Sequence, residues 1–153
     1  MTPITLEQYL GSYKVAHQVE TDAEILLESV NAALQAAEAD GVILEVNPNT
    51  GCYIAGNGNG GARLPDSPVG AARSAHKRGR AIDIYDPHRS LAGWSLRNQT
   101  VLGAIGILAV ENPRWTPSWC HWQDEPLSSG NFVFIPSATP PLAEALPEQQ
   151  NLA

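Results

Sequence analysis

The run RAIDIY restricts the possible fold more than any other stretch of the chain, because apolar and polar side chains alternate along it. Alternation of this kind is typical of a β-strand that buries one face. Ile82 and Ile84 are predicted to point into the core, which leaves Asp83 on the opposite face. Gly79, directly before the run, permits a tight bend, so the preceding SAHKR stretch can fold back and bring His76 beside Asp83.

A second short run, WCHWQ, shows the same alternation further along the chain. Its histidine, His121, is predicted to share one face of a strand with Trp119 and Gln123. Cys120 and Trp122 then lie on the other face. If the two strands are neighbours in one sheet, His121 reaches the point where the first histidine and the aspartate meet.

Two histidines and one carboxylate with an open fourth position form the ligand set of a catalytic zinc site. Such an ion polarises a substrate carbonyl and lowers the pKa of a bound water toward ~7. The sequence therefore suggests a zinc site at His76, Asp83 and His121. The alternative is that the histidines are unrelated polar residues, one in a loop and the other half-buried beneath Trp119 and Trp122.

The N-terminal part of the chain is predicted to be helical. Thr5 and Gln8 can form a capping box that starts a short helix, and Thr21 and Glu24 can form a second one. Beyond the second box, apolar residues recur at helical spacing until the Asp-Gly pair at 40–41 stops the helix.

The rest of the chain is predicted to mix strands, loops and one further helix. VILEV (42–46) reads as a strand, and the Gly/Asn/Pro-rich stretch 47–70 as a long loop that is either functional or disordered. A third helix is predicted over 95–113, with Pro113 ending it. NFVFIP (131–136) is predicted to be the last strand.

These elements predict a small single α+β domain in which helices pack on an antiparallel sheet. The length of 153 residues suits one domain with its own core. We place this domain at 1–136, with N-terminal helices at 5–40 and the zinc-site core at 42–136. The Pro-rich tail 137–153 has no apolar face to bury and is predicted to be flexible.

Charge and composition exclude some partners. The formal net charge of -7 argues against nucleic acid, because a phosphate-binding face needs clustered Lys and Arg. No segment reaches the ~18 apolar residues of a membrane span, and the N-terminus lacks the charged and apolar regions of a secretory signal. We expect a monomer made in the cytoplasm, with Cys52 and Cys120 as buried thiols.

The stretch SAHKRGRAID resembles the SxHxxGxAxD signature of the LAS-type zinc peptidases. That group contains D-Ala-D-Ala carboxypeptidases, dipeptidases and phage endolysin peptidases, and the hedgehog signalling domain is structurally related to it. WCHWQ is similar to the group's second motif, in which a Trp-rich strand carries the last zinc histidine. The resemblance covers roughly residues 42–136 and implies a hedgehog-like fold with zinc ligands at His76, Asp83 and His121.

The resemblance also implies roles for residues beside the ligands. Ser74 matches the signature serine, which lies in the substrate pocket of relatives; the alternative is a plain turn residue. Many members carry an SGYR stretch whose arginine binds a substrate carboxylate or orients the carbonyl. Here GGARLPD offers Arg63 at a comparable place, unless it is a surface arginine. Trp119 is a candidate for the wall of the cleft or for the core.

This chain departs from the family pattern at the general base. Carboxypeptidase-like members have a glutamate three residues before the last zinc histidine, and other members a histidine two residues before it; Ser118 and Trp119 occupy these positions here. The base must come from elsewhere or be absent. Glu111, predicted at the end of the third helix, is preferred because the chain could return it to the strand's edge; otherwise it is an exposed helix-end acid. The other candidates are Asp86, Asp124 and Glu125.

The sequence thus favours a zinc-dependent peptidase that hydrolyses stem or cross-link peptides of peptidoglycan, in a phage or prophage lysis system or in a virion. Such an enzyme would be made in the host cytoplasm without a signal peptide and act on the cell wall after release. The missing base favours an alternative, a zinc-containing but catalytically inactive structural or binding domain of a phage protein. A third possibility is a metal-free fold with a coincidental motif.

Overall fold

The computed structural model of the chain describes residues 1–71 and 73–136, so the predicted tail 137–153 lies outside the described residues. The α-helices are α1 (Leu6–Leu10), α2 (His17–Ala39), α3 (Ser90–Arg97) and α4 (Gln99–Ile105). The strands are β1 (Ala81–Tyr85), β2 (Ala109–Glu111), β3 (Trp119–Gln123) and β4 (Val133–Phe134), and a 3-10 helix spans Ala75–Arg78. In the part of the chain that is described, no helix is long and apolar enough to span a membrane.

The strands form one sheet in the order β1-β3-β2-β4. β3 pairs antiparallel with both β1 and β2, whereas β2 and β4 run parallel. The predicted class, a small single α+β domain, is confirmed, but the sheet is mixed rather than purely antiparallel. The parallel pair arises because the chain leaves β3, crosses to the far side of β2 and there runs in the direction of β2.

One face of the sheet shares a single apolar core with α2. Ile82, Ile84 and Trp122 are each at most 1% exposed. The buried face of α2 consists of Ala23, Leu26, Leu27, Val30, Ala33, Leu34 and Ala37. The alternation predicted for the two motif strands is therefore confirmed, and it leaves Asp83 and His121 on the other face.

The first capping box is confirmed, whereas the second is wrong. The Gln8 N–H donates to Thr5 Oγ1 at 3.1 Å, and the Thr5 N–H donates to Gln8 Oε1 at 3.0 Å. α2 begins at His17, one turn before the predicted start. The hydroxyl of Thr21 donates back to the His17 carbonyl at 3.1 Å, as a threonine inside a helix can. α2 ends at Ala39, directly before the predicted Asp-Gly stop.

The predicted strand at 42–46 is wrong, because this segment has no strand assignment and pairs with no described strand. Its apolar side chains do not join the sheet, and Ile43 is 82% exposed. The edge of β1 that it could have paired with is taken by another part of the chain, since Ile54 bridges Ile84 there. A short apolar run therefore stays irregular when no partner edge is available.

The predicted third helix over 95–113 is also wrong, because it consists of the end of α3, then α4, then β2. Asn98 separates the two helices, and Gly106 ends α4 with a φ of 119°, in the left-handed region that favours glycine. Pro113 therefore ends no helix. The spacing of the apolar residues after Gly106 fits both a helix and a strand. They form a strand because they pair with β3.

The Gly/Asn/Pro-rich stretch 47–70 is ordered along the outer edge of β1. The Ala55 N–H donates to the Asp83 carbonyl at 2.8 Å, and the Asp83 N–H donates to the Gly60 carbonyl at 2.7 Å. This stretch therefore covers the edge of the sheet and lies directly against the strand that carries the motif aspartate.

Both cysteines are buried free thiols, as predicted. The Sγ atom of Cys120 lies 3.6 Å from the Ser95 hydroxyl. Burial raises the pKa of the Cys120 thiol, so this thiol stays protonated and unreactive.

Candidate metal centre

Four side chains form a row across the polar face of the sheet, one from each strand. Asp83 on β1 pairs with His121 on β3, and Glu111 on β2 pairs with Phe134 on β4. The register of β2 against β3, continued by one residue, places Glu111 opposite His121. Because directly opposed residues share a face of the sheet, two carboxylates flank the histidine in this row.

The three predicted ligands converge. The Nδ1 atom of His121 lies 2.9 Å from Asp83 Oδ1, and the Nε2 atom of His76 lies 3.3 Å from the same oxygen. Their candidate ligand atoms all lie within 4.8 Å of one another, and all three residues are buried. His76 belongs to the 3-10 helix, whose end at Gly79 has a φ of 72°, so the predicted bend is confirmed. This group could hold a metal ion.

The remaining ring nitrogens have partners that orient both imidazoles. The Nδ1 atom of His76 lies 2.8 Å from the Gly61 carbonyl oxygen, which can only accept, so Nδ1 carries the proton and the Nε2 lone pair faces the site. The Nε2 atom of His121 lies 3.1 Å from Gln123 Oε1. Gln123 in turn donates through Nε2 to the Glu125 carbonyl at 2.8 Å, which fixes its amide. Nδ1 of His121 is therefore left as the ligand atom.

Electrostatics keep the central carboxylate ionised. Burial alone would raise the pKa of Asp83, but His76 and His121 beside it hold this pKa well below its usual range. Burial alone would lower the pKa of His121, whereas the hydrogen bond and charge of Asp83 raise it. The Nη2 atom of Arg63 lies 3.3 Å from Asp83 Oδ2 and places a permanent positive charge beside the carboxylate. An anionic oxygen beside two imidazoles is a donor set that suits a divalent cation.

Three consecutive carbonyl groups of the Gly-rich stretch support the site from outside the sheet. Each accepts a hydrogen bond from a site residue: Asn59 from Arg63, Gly60 from Asp83, and Gly61 from His76. The conformation of this stretch therefore positions both the first histidine and the aspartate.

Two glycines in this support cannot be replaced by larger residues. A Cβ atom on Gly60 would collide with the carbonyl oxygen of Ala55, and one on Gly61 would collide with that of Tyr9. These two glycines were not predicted from the sequence to belong to the site. The adjacent glycines were the available signal, because glycine in a long loop often marks close approach of two backbones.

Glu111 lies on β2, not at the end of a helix as predicted. Its carboxylate lines the same cavity as the three candidate ligands, and it makes no hydrogen bond or ion pair with any described residue. Burial raises the pKa of Glu111, the positive charge of His121 lowers it, and Asp83 raises it further, with a net upward shift. The pairing of β2 with β3 therefore brings the predicted base to the site, and this pairing was not predicted from the sequence.

The other acidic candidates are engaged elsewhere. Asp86 accepts backbone N–H groups from the first turn of α3. Asp124 pairs with Arg80 at 2.5 Å, and Glu125 pairs with Arg78. Glu125 lines the cavity, but its charge is neutralised by the arginine.

A cavity of about 440 Å³ opens beside the candidate ligands. Every residue predicted for the site lines it: Arg63, Ser74, His76, Asp83, Glu111, Trp119 and His121. Gln123 and Phe134, which were not predicted to belong to the site, line the cavity as well. The contact of Arg63 with Asp83 gives this arginine a role in orienting the carboxylate, and the substrate roles of Ser74 and Trp119 stay predictions.

Comparison of the chain with protein-family models, with curated proteins and with solved structures gave no match. The class of site is therefore defined by its own residues. It is a buried group of two histidines and one carboxylate, in a cavity that Glu111 and the arginine-paired Glu125 also line.

Proposed function

We propose that the chain is a zinc-dependent peptidase that hydrolyses peptide bonds in the stem or cross-link peptides of peptidoglycan, as part of a phage or prophage. The observation that carries this proposal is the row of Asp83, His121 and Glu111, which joins a metal-binding group to a second carboxylate in one cavity. Metal-assisted hydrolysis of an amide uses these two parts. The peptidoglycan substrate rests on the resemblance of the two motifs to LAS-type peptidases.

The donor set suits zinc. Catalytic zinc sites take three protein ligands, drawn from imidazole nitrogen, carboxylate oxygen and thiolate sulfur. His76 would bind through Nε2, His121 through Nδ1 and Asp83 through Oδ1, because these atoms face one another and the other ring nitrogens are occupied. When bound, zinc supplies a Lewis acid that polarises a carbonyl and makes a water molecule more acidic.

The residues of the chain itself would move the proton and orient the site. A carboxylate oxygen of Glu111 would accept the proton of the attacking water and later donate it to the leaving amine. Its position opposite His121 supports this role. Arg63 would hold Asp83 in place through their 3.3 Å contact, and Trp119 would form a wall that limits access of bulk water to the cavity.

A second candidate function is a zinc-containing structural or binding domain of a phage protein without turnover. One observation favours it: Ser118 and Trp119 stand at the two positions where LAS-type peptidases carry the catalytic base. In that case metal binding would stabilise the fold, and the cavity would only bind its partner.

Digestion of purified peptidoglycan distinguishes the two functions. Zinc-loaded protein is expected to release new amino termini, protein stripped with a chelator is expected to release none, and added zinc is expected to restore the activity. His121→Ala serves as a variant that should stay inactive after zinc is added. Zinc-loaded protein that releases no more product than the stripped control, on walls of several cross-link types, would leave the binding domain as the function.

A further inference from the structure

A second cavity of about 320 Å³ lies next to the metal centre. Arg63, Asp83 and Trp119 line both cavities, so the two are neighbours at the metal-binding group. The candidate ligand histidines and Glu111 line only the first cavity. A substrate whose reacting bond lies at the metal centre would therefore extend into the second cavity with the part next to that bond.

Four polar groups of the second cavity have hydrogen-bonding capacity that the protein does not use, whereas the Asn47 side chain there is already paired. Those of Asn49, Asn59 and Ser118 make no hydrogen bond with any described residue, although each lines the cavity. The indole N–H of Trp119 is equally without a partner in the described chain. In the first cavity, by contrast, Arg78 pairs with Glu125, and His121 pairs with Gln123.

The second cavity is also almost free of charge. Its charged residues are Arg63 and Asp83, which contact each other at 3.3 Å. Carboxamide, hydroxyl and indole groups beside an aromatic face match a ligand that has hydroxyl and acetamido groups around a flat C–H surface. A charged peptide side chain would meet only this pair, whose charges already offset each other.

We propose that this second cavity is a subsite for an uncharged acetamido sugar, held on Trp119 and hydrogen-bonded by Asn49, Asn59 and Ser118. The proposal rests on the peptidase function above. It implies that the enzyme cuts the stem peptide close to its attachment to the glycan, since sugar and reacting bond must occupy neighbouring cavities. Recognition of a neutral sugar also suits a chain of net charge -7, which gains no electrostatic attraction to an anionic wall.

The test compares one stem peptide in two forms, free and attached to its N-acetylated disaccharide. The disaccharide form is expected to have a kcat/KM at least about tenfold higher, because three neutral hydrogen bonds each contribute a few-fold in affinity. Asn59→Ala is expected to reduce this ratio. The variant leaves the support of the metal centre intact, because Arg63 donates to the backbone carbonyl of Asn59 rather than to its side chain.

Asn57→Ala is the matched control, because Asn57 belongs to the same stretch, is exposed and does not line the cavity. It should keep the wild-type ratio. A third substrate carries an acetylated neutral dipeptide in place of the disaccharide. If the dipeptide raises kcat/KM as much as the disaccharide does, the cavity binds peptide amides and the sugar assignment is overturned.

The remaining outcomes separate this inference from the proposed function. Equal kcat/KM for the free and the disaccharide form would overturn the subsite and leave the peptidase standing. If neither Asn59→Ala nor Asn57→Ala changes the ratio of kcat/KM between the disaccharide form and the free peptide, the sugar does not bind in the second cavity. No cleavage of any substrate by zinc-loaded protein would overturn the peptidase, and the subsite with it.

Discussion

The two faces of the sheet hold their side chains by different forces. On the inner face, Ile82 and Trp122 are completely buried and are held mainly by apolar packing. On the outer face, Asp83 and His121 are buried nearly as well, but directional hydrogen bonds and charge hold them. Their supports come from parts of the chain that are distant in sequence, such as the carbonyl of Gly60.

The contributions to stability and to function are therefore separable in this small domain. Apolar burial is non-directional and sums over many contacts, so the inner face determines how stable the domain is. A metal centre needs a few atoms at fixed distances, so the outer face determines what can bind. Substitutions on the two faces should therefore change different observables, and four variants test this.

The largest effect is expected for His121→Ala on the outer face, which should remove most of the bound zinc because it deletes one of three ligands. Zinc content after purification and competition with a chelator measure the change. His88→Ala is the control, since this exposed histidine lies outside the cavity. Zinc retained at the wild-type level in His121→Ala would exclude this residue as a ligand.

On the inner face, Trp122→Ala should lower the free energy of unfolding by about 3–5 kcal/mol, because it leaves a large cavity in the core. It also removes the hydrogen bond from the indole to Ser95 Oγ at 3.0 Å. Urea unfolding of the metal-free protein measures the change. Trp119→Ala, on the half-buried outer side of the same strand, is the control and should cost much less. Equal losses would contradict the contrast between the two faces.

Glu111→Gln should retain zinc and lower the rate of peptide hydrolysis by about 10² to 10⁴, since the amide keeps the shape of the carboxylate but cannot accept the proton. Turnover with a cleavable stem peptide and zinc content, measured together, check this. Glu125→Gln is the control in the same cavity and should change the rate far less, because Arg78 already neutralises this carboxylate. A wild-type rate in Glu111→Gln would assign the base elsewhere.

The smallest effect is expected for Gln123→Met, which should weaken zinc binding by about 10- to 100-fold because the acceptor for His121 Nε2 is lost. Gln123→Glu retains an acceptor oxygen and should restore most of the affinity. The nitrogen NMR signals of the zinc-loaded protein should show the proton of His121 on Nε2 in wild type. An unchanged zinc affinity in Gln123→Met would show that Gln123 does not orient His121 for zinc binding.

The local patterns of the two motif strands were sufficient to predict their buried and polar faces. Alternation is a property of consecutive residues, so Ile82 and Trp122 could be assigned to the core and Asp83 and His121 to the other face before any contact was known. The same holds for the apolar stripe of α2, whose period lies within the helix itself.

The predicted strand at 42–46 and the predicted third helix were wrong because the state of these segments depends on a partner. The run at 42–46 has the composition of a strand but found no edge, and the residues after Gly106 joined β3 although their spacing also fits a helix. Glu111 reached the metal centre through that pairing. Strand pairing is a long-range interaction, so one segment's sequence does not reveal it.

Residue chemistry and alternation are local, so they were sufficient to predict which residues are able to bind a metal and on which face of a strand they lie. The tertiary structure, in contrast, set the register in which β1 and β3 pair and in which Asp83 lies opposite His121. It also decided that the carbonyl of Gly61 meets His76, and that a second uncharged cavity adjoins the first. These features depend on contacts between segments far apart in the chain, and such contacts form only when the whole core packs.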